Sequence, residues 1–143
     1  MSGDPLRPDI VGDWLAKANA DLKTARQIAS FGESADTCAV CFHAQQAAEK
    51  SLKALLVNRG LEPPRTHDLT ALAELLPDEI GRCLDLDALD ALTSFAVGAR
   101  YPGPFEEPSL ARAIALVGLA GGVLDVVTGA VSKVAASVAD PSD

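Results

Sequence analysis

Apolar residues recur every three or four positions through most of the chain, and this spacing predicts α-helices and no β-strand. The predicted helices cover residues 10–30, 35–59, 67–76, 86–99 and, finally, 109 or 110 to 134. Glycines and prolines, which commonly end helices, stand in the breaks. Four long helices and one short one, joined mainly by short loops, predict an all-α fold: an up-and-down four-helix bundle with one additional short helix.

Helix starts are predicted at residues whose side chains can accept hydrogen bonds from the first free backbone amides. Asp9 is the expected N-cap of the first helix and Thr66 of the short third helix. Either Asp85 or Asp87 is expected to start the fourth. Gly32 and Gly60 are the expected stops of the first and second helices.

The second predicted helix carries polar residues on its apolar side. At about 100° per residue, Gln45 and Glu49 fall inside the arc of its large apolar residues, and Gln46 and Lys53 lie at the edge of that arc. A buried polar group without a partner costs about 1–3 kcal/mol, so these side chains are expected to bond to one another or to a ligand. Glu49 and Lys53 also have the i, i+4 spacing of a helix ion pair.

Length and composition predict one domain. The chain has 143 residues, of which 48% are hydrophobic but only 4% aromatic, so the core is expected to be built from Ala, Leu and Val. We expect the bundle to cover residues 10–135, with a flexible N-terminus over 1–9 and a flexible tail over 136–143.

The charge distribution limits the kinds of partner. A net charge of −8 argues against a protein that coats nucleic acid non-specifically, because the phosphate backbone would be repelled. Residues 43–67, however, contain four lysines and arginines against two glutamates. A local basic site is therefore compatible with the acidic whole.

Further features favour a soluble protein of the cytoplasm. The first 13 residues are polar and lack the apolar core of a signal peptide. The three cysteines form an odd count, which suits a reducing compartment, and Cys38 and Cys41 are interpreted as small core residues. The longest uncharged run of the last helix is 12 residues, shorter than the ~20 that cross a bilayer, so no membrane contact is expected.

Four sequence blocks together resemble the HEPN (higher eukaryotes and prokaryotes nucleotide-binding) domains. They are Trp14 with Ala20-Asp21-Leu22, the run His43–Leu55, the segment Thr66-His67-Asp68-Leu69, and Ala99-Arg100-Tyr101-Pro102. The resemblance implies a small all-α bundle that is often dimeric. It also implies frequent pairing with a minimal nucleotidyltransferase in toxin–antitoxin-like systems, and several branches are metal-independent ribonucleases.

The resemblance implies a site that binds a nucleotide, RNA or the nucleotidyltransferase partner. The residues assigned to it are His43, Gln46, Lys50, Lys53, His67, Arg100 and Tyr101. The cations would neutralise phosphate, while Gln and His would orient the ligand. No repeated Glu-x-x-His pattern is present, and neither a metal nor another cofactor is expected.

Two other functions remain open. The ribonuclease branches share an Arg followed after four to six residues by a His, and no His follows Arg100. An RNA endonuclease would therefore need Arg100 to hold phosphate and His43 or His67 to assist from elsewhere. The second alternative is a purely structural oligomerisation module, in which the same histidines and lysines are packing or surface residues.

Overall fold

The computed structural model describes the backbone of residues 8–98 and 106–139, and the side chains of residues 9–95 and 106–132. Over these residues the protein is all-α, as predicted. The helices are α1 (Pro8–Ala29), α2 (Thr37–Asn58), α3 (Leu69–Glu74), α4 (Asp78–Gly81), α5 (Leu86–Gly98) and α6 (Leu110–Ala139), with a 3₁₀ turn at Gly32–Ser34. Arg100 and Tyr101 lie outside the described residues.

Helix α2 is the centre of the bundle. It packs against α1, α5 and α6, while α3 lies against both α2 and α5. Alanines of α2 are completely buried and let neighbouring helices approach closely, and leucines fill the remaining core. The four longer helices form the predicted bundle. Two short helices, α3 and α4, connect α2 to α5 where the sequence predicted one.

A glycine ends α2 and sets the direction of the loop that follows. Gly60 has φ of +80°, a conformation that residues with a side chain seldom adopt. Its N–H donates to the Val57 carbonyl at 2.9 Å, and the Leu61 N–H donates to the Leu56 carbonyl at 2.9 Å. This pair of bonds is a Schellman motif, and it delivers the chain into the proline loop of residues 61–66.

Helix starts differ in part from the predictions. Asp68, not Thr66, is the N-cap of α3: its Oδ1 accepts from the N–H groups of Thr70 and Ala71 at 3.1 and 3.2 Å. The Thr66 hydroxyl instead accepts a hydrogen bond from the Asp68 N–H. Thr66 therefore orients the residue that caps the helix. Asp9 lies inside the first turn of α1, where its carboxylate still interacts favourably with the positive end of the helix dipole. Asp85 is the residue that caps α5, since its Oδ1 accepts from the Ala88 N–H.

Helix α6 is apolar on most of its circumference. It ends at Ala139 rather than near Val134, and its segment Leu110–Ser132 is long and apolar enough to cross a membrane by length and composition alone. A core helix passes the same test, and α6 packs on α1, α2 and α5. Its outer face nevertheless leaves Ile114 52% exposed and has open space around Gly118 and Gly122.

Candidate functional site

A row of polar side chains runs along α2 beside α1. His43, Gln46, Lys50 and Lys53 follow one another at intervals of three or four residues, which places them on one side of the helix. All four are partly buried. Their contacts with α1 show that the two helices are antiparallel, because Asp21 meets His43 and Lys50 whereas Trp14, seven residues earlier, meets Lys53.

Asp21 of α1 anchors the first half of this row. Its Oδ1 lies 2.9 Å from His43 Nδ1, and its Oδ2 accepts from Lys50 Nζ at 2.5 Å. The carboxylate is largely buried, and the Lys50 side chain is 24% exposed. One acidic side chain therefore orients both a histidine and a lysine, while leaving each partly open to solvent.

Glu49 of α2 anchors the second half. Its Oε1 lies 2.7 Å from His67 Nδ1 and 3.1 Å from Gln45 Nε2, and its Oε2 accepts from Lys53 Nζ at 3.1 Å. Burial by itself raises the pKa of the Glu49 carboxyl. The hydrogen bonds from His67, Gln45 and Lys53, together with the Lys53 charge, outweigh this effect and hold the pKa below its ordinary value. Glu49 is therefore an anion at neutral pH.

Gln45 links this centre to the loop and to the exposed row. It is completely buried, and its Nε2 also donates to the His67 carbonyl at 3.2 Å. Its Oε1 accepts from Gln46 Nε2 at 2.8 Å. Among the described side chains, every buried nitrogen and oxygen has a hydrogen-bond partner. The expectation that the polar residues on the apolar side of α2 need hydrogen-bond partners is confirmed, and the protein itself supplies partners for Gln45, Gln46, Glu49 and Lys53.

The structure brings five of the seven predicted site residues onto this surface. His43, Gln46, Lys50 and Lys53 come from α2, and His67 comes from the loop before α3. The interpretation of Lys53 as a simple surface residue does not hold, because its side chain is only 11% exposed and ion-paired. The other two predicted residues, Arg100 and Tyr101, are outside the described part of the chain.

Asp21 was not assigned to the site from the sequence, although it holds half of it. Its signal is weak but real: it follows Trp14 by seven residues, so both lie on the same side of α1. The resemblance also included Asp21, without giving it a role. What the sequence could not supply is the register of α1 against α2, which brings this carboxylate opposite His43 and Lys50.

The arrangement has a defined chemistry. A carboxylate oxygen only accepts hydrogen bonds, so both histidines donate through Nδ1 and keep Nε2 for another partner. With neutral histidines the two carboxylates balance the two lysines, and protonation of His43 and His67 would give the surface a net charge of +2 from these six groups. Over the described residues, no three His, Cys, Asp or Glu side chains come together closely enough to hold a metal ion.

These features define a class of protein: a small helical bundle whose central helix presents a row of polar side chains anchored by two carboxylates. The HEPN domain profile matches residues 11–130 of the chain. The protein therefore belongs to the HEPN domain family, which confirms the resemblance seen in the sequence.

Two solved structures are similar over most of their length. The crystal structure of TT1696 from Thermus thermophilus has a TM-score of 0.68 and 29% sequence identity, covering 83% of this chain and 96% of that one. The crystal structure of ST0689, described as an archaeal HEPN homologue, has a TM-score of 0.67 and 30% identity, covering 85% of this chain and 97% of that one. A search of curated proteins gave no match.

Proposed function

We propose that this HEPN protein binds nucleotide or RNA phosphate groups on the polar row of α2, and that it works in the cytoplasm with a minimal nucleotidyltransferase partner in a toxin–antitoxin-like system. The observation that carries the binding proposal is the pair of carboxylates, Asp21 and Glu49, each of which fixes one lysine and one histidine on the same surface.

The ion pairs leave the lysines able to bind phosphate. An ammonium group has three N–H donors, and the structure gives Lys50 and Lys53 one carboxylate each. Lys50, whose side chain is 24% exposed, can turn its remaining donors to phosphate oxygens from a side chain that is already ordered, which reduces the entropy lost on binding. Lys53 is only 11% exposed, so its contribution is mainly its positive charge. In this proposal Arg100 and Tyr101 would complete the site from the segment before α6.

Calorimetric titration with nucleotides and short single-stranded RNA tests the binding site. Lys50→Ala is expected to weaken binding, because it removes a phosphate donor and leaves Asp21 with His43 alone. Lys23→Ala is the matched control, since Lys23 is an exposed lysine on α1 that lies on the opposite side of that helix from Asp21 and Trp14. Equal heats for the wild type and Lys50→Ala would reject this site.

The partner and the oligomeric state need separate measurements. Affinity capture of the tagged protein from its native cells is expected to retain a protein of the minimal nucleotidyltransferase type, identified by mass spectrometry. Light scattering is expected to give the mass of a homodimer. Capture of no nucleotidyltransferase would reject the partner while leaving the nucleotide site to be judged by calorimetry.

A second function, metal-independent RNA cleavage, is favoured by one specific observation. His43 and His67 are each held through Nδ1 by a carboxylate, the arrangement that orients histidine as a general acid or base in other enzymes. The ribonuclease hypothesis predicts that the protein cleaves single-stranded RNA in the presence of a chelator. It also predicts that His43→Ala or Arg100→Ala abolishes this cleavage. Intact RNA after long incubation, with and without a captured partner, would exclude it.

A further inference from the structure

A pocket lies beside Lys53, where the start of α1 and the end of α2 meet the proline loop. Its walls come from Ile10 and Trp14 of α1, Lys53 and Val57 of α2, and the segment of residues 62–65. Its volume is about 280 Å³. This is slightly below the ~300 Å³ at which pockets for drug-sized ligands begin, so it suits a single ring system rather than a large molecule.

The pocket joins flat apolar walls to charged groups at its rim. The Trp14 indole and the rings of Pro63 and Pro64 offer apolar surfaces, while the exposed side chains of Glu62 and Arg65 supply an acceptor and donors. Aromatic and apolar faces with a few polar groups are what a nucleobase requires, because its ring stacks and its edge forms hydrogen bonds.

Lys53 belongs both to this pocket and to the polar row. Its Nζ donates to Glu49 at 3.1 Å and also lies 5.9 Å from the centroid of the Trp14 ring. A phosphate bound by the lysines of the row would therefore lie next to the pocket. In a nucleotide one sugar separates the phosphate from the base, and Lys53 and Trp14 line the same pocket, so the base of a nucleotide bound at Lys53 can reach Trp14.

The pocket wall is held in place by the turns that flank it. The Schellman motif at Gly60 fixes the exit of the chain from α2, and the Thr66 N–H donates to the Pro64 carbonyl at 3.0 Å. Proline also restricts its own backbone and that of the preceding residue. A wall formed before binding loses little further entropy when a ligand enters.

We infer that this pocket is a nucleobase subsite, which accepts the base of a nucleotide whose phosphate binds the polar row. The inference rests on the proposed function, since it requires the phosphate to bind at Lys50 and Lys53. The experiment therefore compares two ligands that share a phosphate and a ribose and differ only in the base: ribonucleoside 5′-monophosphates and ribose 5-phosphate.

Trp14 is the only tryptophan of the chain, so its fluorescence reports on the pocket directly. Nucleoside monophosphates are expected to change the emission in a saturable way, because the base stacks on the indole, and to bind about tenfold more tightly than ribose 5-phosphate. Ribose 5-phosphate acts on Trp14 only through Lys53, which lies 5.9 Å from the ring centroid, so its effect on the emission should be smaller. In calorimetry, Trp14→Leu is expected to reduce nucleotide affinity to that of ribose 5-phosphate. Phe31→Ala, at an exposed aromatic residue beyond the other end of α1, should change neither affinity.

Failure of the subsite and failure of the proposed function are distinguishable. If both ligands bind equally and have the same effect on the emission, the nucleobase subsite is wrong while the phosphate site of the proposed function stands. If neither ligand binds, the proposed function is wrong and the subsite falls with it. The emission measurement uses unchanged protein, so it stays decisive even if Trp14→Leu does not fold.

Discussion

Replacing Glu49 by glutamine tests the centre on which half of the site depends. Glutamine has nearly the same shape, so packing is preserved and the change is confined to charge and hydrogen bonding. If the amide oxygen continues to accept from Gln45 and His67, the amide NH₂ must face the Lys53 ammonium, donor against donor. The substitution therefore removes the partner of a largely buried cation.

The size of the effect follows from the burial of the pair. The Glu49 and Lys53 side chains are 6% and 11% exposed, so the range of about 0–1 kcal/mol for surface ion pairs does not apply. Removing one partner of a buried pair costs about 3–5 kcal/mol. Because two of the three hydrogen bonds can survive, we expect a loss near the lower end, about 3 kcal/mol, which is a large part of the ~5–15 kcal/mol that stabilises a typical domain.

Urea unfolding followed by circular dichroism measures this loss at neutral pH. Adding Lys53→Met to Glu49→Gln should restore much of the stability, because the unpaired ammonium is removed as well. Glu74→Gln, at an exposed glutamate of α3, is the control and should change stability by less than about 0.5 kcal/mol.

The pH dependence gives an independent check with a defined sign. The pKa of Glu49 is lower in the folded protein than its ordinary value of 4.5, so the charged carboxylate stabilises the fold. This contribution is complete above pH 4.5 and is lost as the pH falls through the lower folded pKa. The difference between wild type and Glu49→Gln should therefore shrink in acid. A loss below about 1 kcal/mol at neutral pH, or a difference that does not change in acid, would refute the reasoning.

Three further predictions concern other parts of the bundle. Asp68→Ala removes the cap of α3 and should lower the free energy of unfolding by about 1 kcal/mol in urea titrations, whereas Asp68→Asn should retain most of it. In native protein, a thiol reagent should modify exposed Cys83 and leave Cys41 intact, because burial raises the pKa of the Cys41 thiol to about 11; equal rates by peptide mapping would contradict this. Ile114→Glu should convert the proposed dimer into a monomer in light scattering, since it charges the exposed apolar face of α6.

The fold was predictable because helix-forming segments and their breaks are local features of the sequence. The glycine stop at Gly60 and the all-α bundle follow from spacing and composition alone. The cap of α3 was wrong by two residues, since Thr66 and Asp68 both suit an N-cap and only the backbone path decides between them. The second short helix, α4, has four residues, too few for any periodic pattern to predict.

Helical spacing made the site predictable only where it lies on one helix, whereas His67 was assigned from the family resemblance. The row on α2 follows from helical spacing, and the i, i+4 pair of Glu49 and Lys53 was expected and is present. Partners from other elements could not be derived in the same way. Asp21 depends on the register of α1 against α2, and the bond from His67 to Glu49 depends on the path of the proline loop.

The chain of bonds from Gln46 through Gln45 to Glu49 has a consequence for how this surface can evolve. Glu49 shares its two oxygens among three donors, so the effect of changing any one donor depends on which others remain. The effects of substitutions at these positions should therefore be non-additive when they are combined, and a double-mutant cycle would measure the coupling free energy. Homologues should therefore exchange these residues as a block, whereas neighbouring surface positions drift independently.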